Sequence, residues 1–368
     1  MTMNSGRLIF LDFMRGLIMI LLAAESANLY EALSELTTEE SLGRIFMDQF
    51  THHKWNGLHF WDLIQPCFMT IAGTSLYLST QSRLEKGEPL SEIQKHVLIR
   101  SLKLFAFGVA LHCVYAGKMV WELWNVLTQL SLTLLIAFTI IQERIRVQLL
   151  VSFAILLFSE CLYHFVSIKG FNQPFAPDRN FGAFMDMVLM RKINEGGHWV
   201  AINFIPSAAH TIWGVVLAKF LTGRLRPNQK IRTLFTIALG ALIFAYLLDL
   251  TDLSPIIKRI CTASFIIASG GWVLVIFAIC YWIIDVKKIT RWIPFFLIVG
   301  MNSIFIYLLF ETVGHQWINK TVAIFSNGIT GFIGIPVEVQ PVFAALGALL
   351  VEWYICYWLY NRKIFFKL

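Results

Sequence analysis

The chain has 368 residues, of which 57% are hydrophobic and only 14% are charged, and its mean hydropathy is +0.66. A soluble domain of this length would expose much more charge, so the composition excludes an ordinary soluble protein and predicts extensive contact with a lipid bilayer. A net charge of +7 would suggest nucleic acid in a soluble protein. Here the basic residues lie in short loops between apolar runs, as in membrane proteins, so we predict no nucleic-acid partner.

The apolar residues form long continuous runs, such as "TLFTIALGALIFAYLLDL" and "FIIASGGWVLVIFAICYWII", without the alternation of a membrane β-barrel. Because backbone polar groups in lipid must bond within the protein, such runs predict helices that each cross the hydrocarbon with roughly 20 residues. We therefore predict an all-α polytopic membrane protein, a bundle of about ten transmembrane helices forming a single domain over residues 1–368. The predicted spans are 8–29, 59–81, 97–116, 123–141, 147–167, 200–221, 232–249, 262–284, 292–314 and 340–361.

Lysine and arginine are distributed unequally between the two sets of connecting loops. The richer set contains the N-terminus with Arg7, the loops 82–96, 142–146, 222–231 and 285–291, and the tail "NRKIFFKL". Because positively charged loops stay on the cytoplasmic side, both termini are predicted to be cytoplasmic. The loops 30–58, 168–199 and 315–339 are then expected on the outer, periplasmic face.

The six cysteines show no CxxC pairing, and nearly all fall inside apolar runs, which is typical of buried thiols. None of the histidine and acid spacings matches a strong metal motif such as HExxH, so we predict no metal site. The first apolar run opens with Asp12 and Arg15 and lacks a small-residue cleavage site. It is therefore expected to remain as a helix and not to act as a signal peptide.

The first predicted span, which begins "RLIFLDFMRGL", carries charges near both ends. Asp12 and Arg15 are three residues apart, so they share a helix face on which they can pair. Arg15 then either reaches the cytoplasmic interface with Asp12 as its neutralising partner, or helps to hold an anionic ligand from the cytoplasm. Glu25 lies near the outer end, where it is either solvated or able to orient an imidazole.

The stretch "THHKWNGLHFWDLIQP" places histidines, aromatic rings and a carboxylate just before an apolar run. A neutral imidazole is a natural base near physiological pH, but His52 and His53 cannot both point at one reacting atom. Asp62 needs a partner so close to lipid, and a histidine, Arg15 or backbone amides are the candidates. Trp55 fits either stacking on a sugar or an aromatic belt, and interfacial anchoring alone would explain the whole stretch.

A second polar cluster is expected on the same outer face, in "EGGHWVAINFIPSAAHTIWG", where His198, Trp199 and Asn203 lie close in sequence. His210, deeper in that span, is interpreted as a packing histidine. Asn302 lies within a later span, where its amide needs partners from a neighbouring helix or from a ligand.

Five stretches, in this order, resemble the heparan-α-glucosaminide N-acetyltransferase family and its bacterial relatives in the same transmembrane acyltransferase superfamily. They are "LDFMRGL", "HHKWNGLHFWDLIQPCFMTIAGTSL", "INFIPSAAHTIWGVVLA", "IIKRICTASFIIASGGW" and "VGMNSIFIY", spread over nearly the whole chain. The His-x-x-Trp-Asn-Gly…Asp-Leu-x-x-Pro block is the most specific of them. The chain departs from the family at Leu127-Thr128-Gln129-Leu130, where the family has Leu-Gln-Arg-Ile, and at Glu25, near which it often has asparagine.

The resemblance implies a multi-helix enzyme of the bacterial inner membrane. Such an enzyme takes an acetyl group from cytoplasmic acetyl-CoA and passes it to an amino sugar on the outer, periplasmic side. The family's catalytic histidine stands three residues before the tryptophan of the block, which is His52 here, and His53 occupies a position that is usually small. An attacking amine must lose a proton, so His52 is suited to act as general base or as acyl carrier. The resemblance is also compatible with a homodimer.

The motifs and the resemblance together indicate a set of candidate site residues. Catalysis is assigned to His52, Asp62 and Glu25. Because the basic cytoplasmic side should hold the CoA phosphates, acetyl-CoA binding is assigned to Arg15, Arg100 and Lys103, and Asn302 is assigned to the same ligand. Binding of the carbohydrate acceptor is assigned to His53, Trp55, Asn56 and His198.

Two other functions stay open from the residues alone. Many spans with polar residues at depth also suit a transporter of a sugar or an acylated sugar that performs no chemistry. A third interpretation is a family member that has lost activity and serves as a scaffold. A transfer reaction that requires both acetyl-CoA and His52 would separate the enzyme from both.

Overall fold

A computed structural model describes residues 8–366, and the regular secondary structure within that range is helical. The helices are α1 (Ile9–Ser26), α2 (Leu29–Glu35), α3 (Leu42–Asp48), α4 (Ile64–Leu84), α5 (Leu90–Ala116), α6 (Val126–Thr139), α7 (Ile145–Phe165), α8 (Phe181–Met190), α9 (Phe204–Thr222), α10 (Pro227–Leu250), α11 (Ala263–Cys280), α12 (Ile293–Gly300), α13 (Ser303–Leu309), α14 (Asn319–Phe332) and α15 (Gln340–Asn361). Short 3₁₀ turns at Phe60–Leu63 and Ala201–Asn203 lead into α4 and α9, and π-helical segments at Tyr281–Val286 and Phe310–Ile318 follow α11 and α13. The predicted all-α class is confirmed.

Six helices of the described chain are long and apolar enough to cross a membrane, and one bent pair adds a seventh if it counts as one span. The six are α5, α7, α9 with its 3₁₀ turn, α10, α11 with its π-helical end, and α15. The chain is therefore an integral membrane protein. The count of about ten spans and the cytoplasmic termini remain predictions, and Arg7, which entered the charge count, lies outside the described residues.

The region predicted as one span over 292–314 is broken in the structure. α12 ends, and the helix that begins at Ser303 departs at an angle of 75°. Asn302 lies at the break with φ −120° and ψ 36°, angles that do not belong to a helix. The predicted loop over 315–339 is wrong for much of its length, because the helix continues through the π-helical segment and α14 to Phe332.

The chain forms two compact units. The terminal unit contains the described residues of Met1–His52, His59–Trp61 and Ile283–Leu368, and the central unit contains His53–Leu58 and Asp62–Trp282. The histidine stretch, "THHKWNGLHFWDLIQP" at residues 51–66, is divided between the two units. His52 belongs to the terminal unit, whereas His53 and Asp62 belong to the central unit.

The central unit is organised around α4 and α9, which pack extensively against each other. Small residues allow the two backbones to approach closely: a side chain at Gly73 would collide with the carbonyl of Thr211, and Gly214 meets α4 in the same way. Thr74 Oγ1 donates a hydrogen bond of 3.0 Å to Gly214 O across this contact. Small residues commonly bring helices together in a bilayer, where burial of apolar surface provides no driving force.

α9 also contacts α6, α7 and α11, and its buried polar side chains bond across these contacts. Thr211 Oγ1 donates to Thr133 Oγ1 of α6 at 3.0 Å. His210 Nε2 lies 3.1 Å from both Ile266 O and Ser269 Oγ of α11. His210 is thus a packing residue whose polar atom is satisfied within the bundle, as predicted.

In the terminal unit α1 packs against α12, and α14 packs against α15. Gly16 lets the α1 backbone approach the carbonyl of Phe296 so closely that no side chain would fit between them. The Phe13 ring packs edge-on against Trp292 and Phe296, with centroid distances of 4.7 and 4.9 Å. These contacts fix α1, the helix that carries three of the charged residues singled out from the sequence.

Candidate active site

The segment His53–Leu58 of the central unit runs beside the loop that joins α10 to α11. Gly57 N donates a hydrogen bond of 2.8 Å to Ile256 O, and Asn56 forms an isolated antiparallel bridge with Ile257. Two motifs that are far apart in the sequence, "HKWNGL" and "IIKRIC", therefore meet through their backbones. This pairing gathers their side chains into one cluster.

Asp62 is fully buried, and two neighbours compensate its carboxylate. Lys258 Nζ lies 3.4 Å from Asp62 Oδ1, and the two side chains are 6% and 0% exposed. Asp62 Oδ2 accepts a hydrogen bond of 3.3 Å from the backbone N–H of His53. A carboxylate in a dry site is tolerated when a cation and hydrogen bonds offset its lost hydration. Lys258 and the His53 amide are thus partners of the kind that Asp62 requires.

Gly57 determines where the ring of His53 can lie. Its φ of +143° falls in a region that side chains rarely adopt, and a Cβ there would stand 2.5 Å from His53 Nε2. Only glycine fits this point without displacing the imidazole. The ring of the half-buried His53 therefore occupies space that the missing side chain of Gly57 leaves open, and the His53 N–H is bonded to Asp62.

Trp199 packs against both basic side chains of the "IIKRIC" loop. Lys258 Nζ stands 5.5 Å from the centre of the Trp199 ring, and Arg259 Cζ stands 4.8 Å from it, both within cation–π range. The Arg259 guanidinium also donates to Gly197 O. Burial lowers the pKa of Arg259, while the charge of Asp62 acts in the opposite direction. The cluster thus holds two cations beside one aromatic face.

His198 is oriented by Asp178, an acid from the segment that precedes α8. Its Nδ1 lies 2.7 Å from Asp178 Oδ2. Both residues have a left-handed backbone, with φ of +56° and +59°, which is uncommon outside glycine and is often found at functional sites. The Trp55 ring approaches the His198 ring edge-on at 6.0 Å, and Trp55 Nε1 donates to Phe175 O at 2.8 Å. His198 and Trp55 therefore form one aromatic surface in the central unit.

Glu25 and His52 belong to the terminal unit. Glu25 Oε1 accepts a hydrogen bond of 2.8 Å from Nε1 of the buried Trp61. The Tyr30 ring packs edge-on against Trp61 at 5.2 Å, and burial together with the Glu25 charge raises the pKa of Tyr30. His52 is half-buried in the connection that follows α3. Glu25 thus bonds to the stretch that carries His52, by way of Trp61.

Two of the residues assigned to acetyl-CoA binding form intramolecular contacts with other parts of the protein. Arg15 Nη1 lies 3.1 Å from Asp12 Oδ1, so the pair expected from their spacing is formed. Asn302 is fully buried, and its amide bonds to the tail: Nδ2 donates to Ile364 O at 3.1 Å, and Oδ1 accepts from Phe366 N at 2.9 Å. Asn302 therefore ties the C-terminal segment to the break between α12 and α13.

The other two residues assigned to acetyl-CoA, Arg100 and Lys103, lie on α5 of the central unit. Arg100 is half-buried and Lys103 is exposed. They are three residues apart on one helix, so their side chains share a face.

The structure brings five of the predicted residues into the central unit's cluster, namely His53, Trp55, Asn56, Asp62 and His198. Sequence reasoning missed Lys258, Arg259 and Asp178, which complete it. A signal for the first two was present, because they form a basic pair in a short loop that the predicted topology places outside, against the usual excess of positive charge inside. A basic pair in that position calls for an acidic partner, and Asp62 is that partner.

The cluster is equipped for acid–base chemistry and for polar recognition. It offers imidazoles, two cations, and aromatic faces, and the exposed Asn56 adds an amide. Asn203 Nδ2 donates to Arg259 O at 2.6 Å, while among residues 8–366 its buried Oδ1 has no hydrogen-bond partner. Within the same range no three His, Cys, Asp or Glu residues are grouped so that they would hold a metal ion.

Comparison with known proteins places the chain in a family. Residues 7–249, about two thirds of the chain, match the family described as heparan-alpha-glucosaminide N-acetyltransferase, catalytic. A stretch of 77 residues is 35% identical to heparan-alpha-glucosaminide N-acetyltransferase of Mus musculus, and this match covers 20% of the chain and 11% of the mouse protein. The family match includes His52, Asp62 and His198 and ends before Lys258 and Arg259. The chain belongs to the heparan-alpha-glucosaminide N-acetyltransferase catalytic family.

Proposed function

We propose that the chain is a membrane-embedded acetyltransferase that moves an acetyl group from cytoplasmic acetyl-CoA to the amino group of a carbohydrate on the outer face. The observation that carries the proposal is the family match over residues 7–249, a range that contains the "HHKWNG" block with His52. Helices apolar enough to cross a membrane are compatible with a donor and an acceptor on opposite sides. On this proposal the whole chain acts as one transmembrane domain.

In the proposed reaction the acceptor amine attacks the carbonyl carbon of the acetyl thioester. A C–N bond forms, the C–S bond breaks, and the CoA thiolate leaves with the bonding pair. The neutral imidazole of His52 takes up the proton that the amine loses, and so acts as general base. In a two-step variant, His52 attacks the thioester first and carries the acetyl group until the amine removes it.

Asp62 serves as a positioning residue in this proposal. Lys258 Nζ at 3.4 Å and the His53 N–H at 3.3 Å already engage its carboxylate, which leaves it poorly placed to act as a second base. His53 is bonded directly to His52, so an anchored His53 N–H restricts the backbone that carries the base. Loss of Asp62 or of Lys258 should therefore impair transfer through geometry.

The phosphates of acetyl-CoA require cations at the cytoplasmic end of the protein. Arg100 and Lys103 are suited to this role because they share a face of α5 and Lys103 is exposed. Arg15 is less suited, because Asp12 at 3.1 Å offsets its charge. The chain's contribution to the donor is to hold its charged end, and acetyl-CoA itself supplies the activated acyl group.

The acceptor in this proposal is a sugar amine that binds at the central unit's cluster. Trp55 and His198, whose ring centroids are 6.0 Å apart, offer surfaces on which the apolar face of a sugar ring can pack. The exposed Asn56 offers an amide that can both donate to and accept from sugar hydroxyls. His53 lies in the same segment and shapes the pocket from its fixed position against Gly57.

The test is acetyl transfer by the purified protein in lipid nanodiscs, with radiolabelled acetyl-CoA and a panel of amino sugars. His52→Ala should lower kcat by roughly 10²–10⁴-fold, the usual contribution of a positioned general base. His59→Ala is the matched control, because this imidazole lies in the same stretch and its Nδ1 is 3.0 Å from Thr51 O. Unimpaired transfer by His52→Ala would contradict the assigned base, and no labelled product with any acceptor would contradict the proposed reaction.

A second candidate function is transport of a sugar or an acylated sugar, and one observation favours it. The helix pair α12 and α13 is bent by 75°, and a π-helical segment at Phe310–Ile318 follows. Interrupted helices line substrate sites in many transporters. Saturable uptake of unmodified sugar into proteoliposomes without acetyl-CoA would support transport, whereas recovery of the sugar only in acetylated form would exclude it.

A further inference from the structure

The terminal unit contains an apolar cavity of about 240 Å³. It lies between α1, α12, α13 and α15, and it is lined by aliphatic and aromatic side chains and by Glu352. Three of its lining side chains, Phe295, Leu346 and Leu350, are also exposed at the surface of the unit. Since α15 is apolar enough to cross a membrane, these residues place the cavity beside the lipid hydrocarbon.

Glu352 is an ionisable residue buried near the middle of α15. It stands about 18 Å along the axis from the start of the 22-residue helix, and only 1% of its surface is exposed. Within residues 8–366, its Oε2 has no hydrogen-bond partner. A buried carboxyl oxygen without a partner is costly, and ionisable residues at such a depth usually serve a function.

The backbone next to Glu352 is adapted to its carboxyl group. A Cβ at Gly314 would stand 2.5 Å from Glu352 Oε1, so a side chain there would displace the carboxyl group from its place. Gly314 belongs to the π-helical segment Phe310–Ile318, and π-helical turns are frequent at functional sites. The unsatisfied carboxyl, the glycine and the irregular helix thus meet at one place in the terminal unit.

We propose that this cavity binds an uncharged, membrane-soluble aliphatic alcohol, with the alkyl part against the apolar walls and the hydroxyl bonded to Glu352. A hydroxyl both donates and accepts, so it satisfies a carboxylate and a carboxylic acid alike. A charged amine or acid would pay a large cost to enter from the hydrocarbon. An apolar cavity of about 150 Å³ already accepts benzene, so a medium-chain alcohol is of suitable size.

The test is photolabelling of the full chain in nanodiscs with an octanol that carries a diazirine group, followed by mass spectrometric mapping. Label is expected in the α15 peptide around Glu352 and in the facing part of α1. Unlabelled 1-octanol should suppress this labelling at least ten-fold more effectively than 1-methoxyoctane, which has similar length but no hydroxyl donor. Equal competition by the two compounds would overturn the role of Glu352.

Four variants make the result specific. Leu346→Trp narrows the cavity at its exposed side, and Ala23→Phe fills it from α1; each should reduce labelling at least five-fold. Val351→Phe adds similar volume at the neighbouring, exposed position on α15 and should leave labelling unchanged. Glu352→Leu should retain labelling and abolish the preference for the alcohol over the ether.

The proposal is overturned if label fails to map to the cavity in the parent protein, or if correctly folded Leu346→Trp and Ala23→Phe proteins label as strongly as the parent. Size-exclusion elution in detergent identifies any variant that has failed to fold, and two cavity-filling variants on different helices guard against that outcome. Labelling is measured without acetyl-CoA, so its result is independent of whether the chain transfers acetyl groups.

Discussion

Two buried carboxyl groups, Asp62 in the central unit and Glu352 in the terminal unit, differ in the partners that surround them. Asp62 is fully buried and lies 3.4 Å from Lys258 Nζ, with the His53 N–H as a second partner. Glu352 is equally buried, but its Oε2 has no hydrogen-bond partner within residues 8–366. The central unit uses its carboxylate to anchor a backbone segment, whereas the terminal unit keeps one beside a cavity.

A third carboxyl group, Asp186 on α8, is intermediate between the two. It accepts hydrogen bonds from Trp124 Nε1 at 2.7 Å and from Ala201 N at 2.8 Å, which are both neutral donors. Burial raises its pKa from 3.8 to about 7, although the two hydrogen bonds act in the opposite direction. Depth alone therefore does not define the role of a buried acid. The charge and number of its partners do.

The largest expected effect follows from removing the cation beside Asp62. Lys258→Met should lower the free energy of unfolding by about 3–5 kcal/mol, because it leaves Asp62 charged and buried without Lys258. Chemical unfolding in detergent measures this difference. The double variant Lys258→Met/Asp62→Leu removes both charges and should recover most of the loss. If the single variant is as stable as the parent, Asp62 is not anchored by this pair.

The next effect concerns Gly57, whose missing side chain leaves room for the His53 ring. Gly57→Ala should destabilise the protein by about 1–3 kcal/mol, because alanine is strained at this φ and its Cβ would collide with the imidazole. Gly240→Ala on α10 is the matched control, since a Cβ there meets open space. The control should be neutral or slightly stabilising in the same unfolding measurement. Equal effects of the two substitutions would contradict the proposed constraint on His53.

Substitution of Glu352 should change the free energy of unfolding in the opposite direction to substitution of Lys258. Glu352→Leu removes a buried carboxyl group that lacks a partner at Oε2, so it should stabilise the protein by about 1 kcal/mol. Glu352→Gln preserves the shape of the side chain, and its stability should lie between those of the parent and of Glu352→Leu. A thermal unfolding series in one detergent separates the three proteins. A strong loss of stability in Glu352→Leu would show that the carboxyl group has a structural partner.

The last effect is a pH dependence at Asp186, which lies on α8, outside the six spanning helices. Because its folded pKa of about 7 exceeds the ordinary value of 3.8, the folded state binds the proton more tightly than the unfolded state. Its contribution to stability is therefore fully present below pH 3.8 and is lost as the pH rises through about 7.

Asp186→Asn imitates the protonated acid and should remove this part of the pH dependence. Unfolding free energies of the parent and the variant, measured from pH 5 to 8, should diverge as the pH rises, with the parent becoming relatively less stable. Parallel pH profiles would contradict the raised pKa of Asp186.

Much of the fold follows from local sequence pattern. Apolar runs predict helices, and the spacing of Asp12 and Arg15 predicts the pair that forms at 3.1 Å, because both depend on residues close in the chain. The break at Asn302 was not predicted, because long apolar stretches continue on both sides of it and the bend depends on the local backbone. Helix α14 was missed because its polar residues resemble those of a loop.

The site was predictable only in part. The histidine stretch, with Trp55 and Asp62, is a local pattern that can be recognised in the sequence. Asp62 pairs with Lys258 of the loop between α10 and α11, and His198 pairs with Asp178 from the other side of α8. Both pairs join residues that are distant in sequence and meet only in the folded chain. The position of Asp62 near lipid showed that it needs a partner, and the basic pair on the predicted outer face indicated a cationic one.

The central claim is that this family member transfers acetyl groups with His52 as its reacting histidine. The most direct measurement compares the parent protein, His52→Ala and His59→Ala in nanodiscs, with radiolabelled acetyl-CoA and the amino sugar that gives most product. Labelled N-acetyl sugar is expected from the parent and from His59→Ala, with a loss of roughly 10²–10⁴-fold in His52→Ala. Transfer by His52→Ala at the rate of the parent would contradict the central claim.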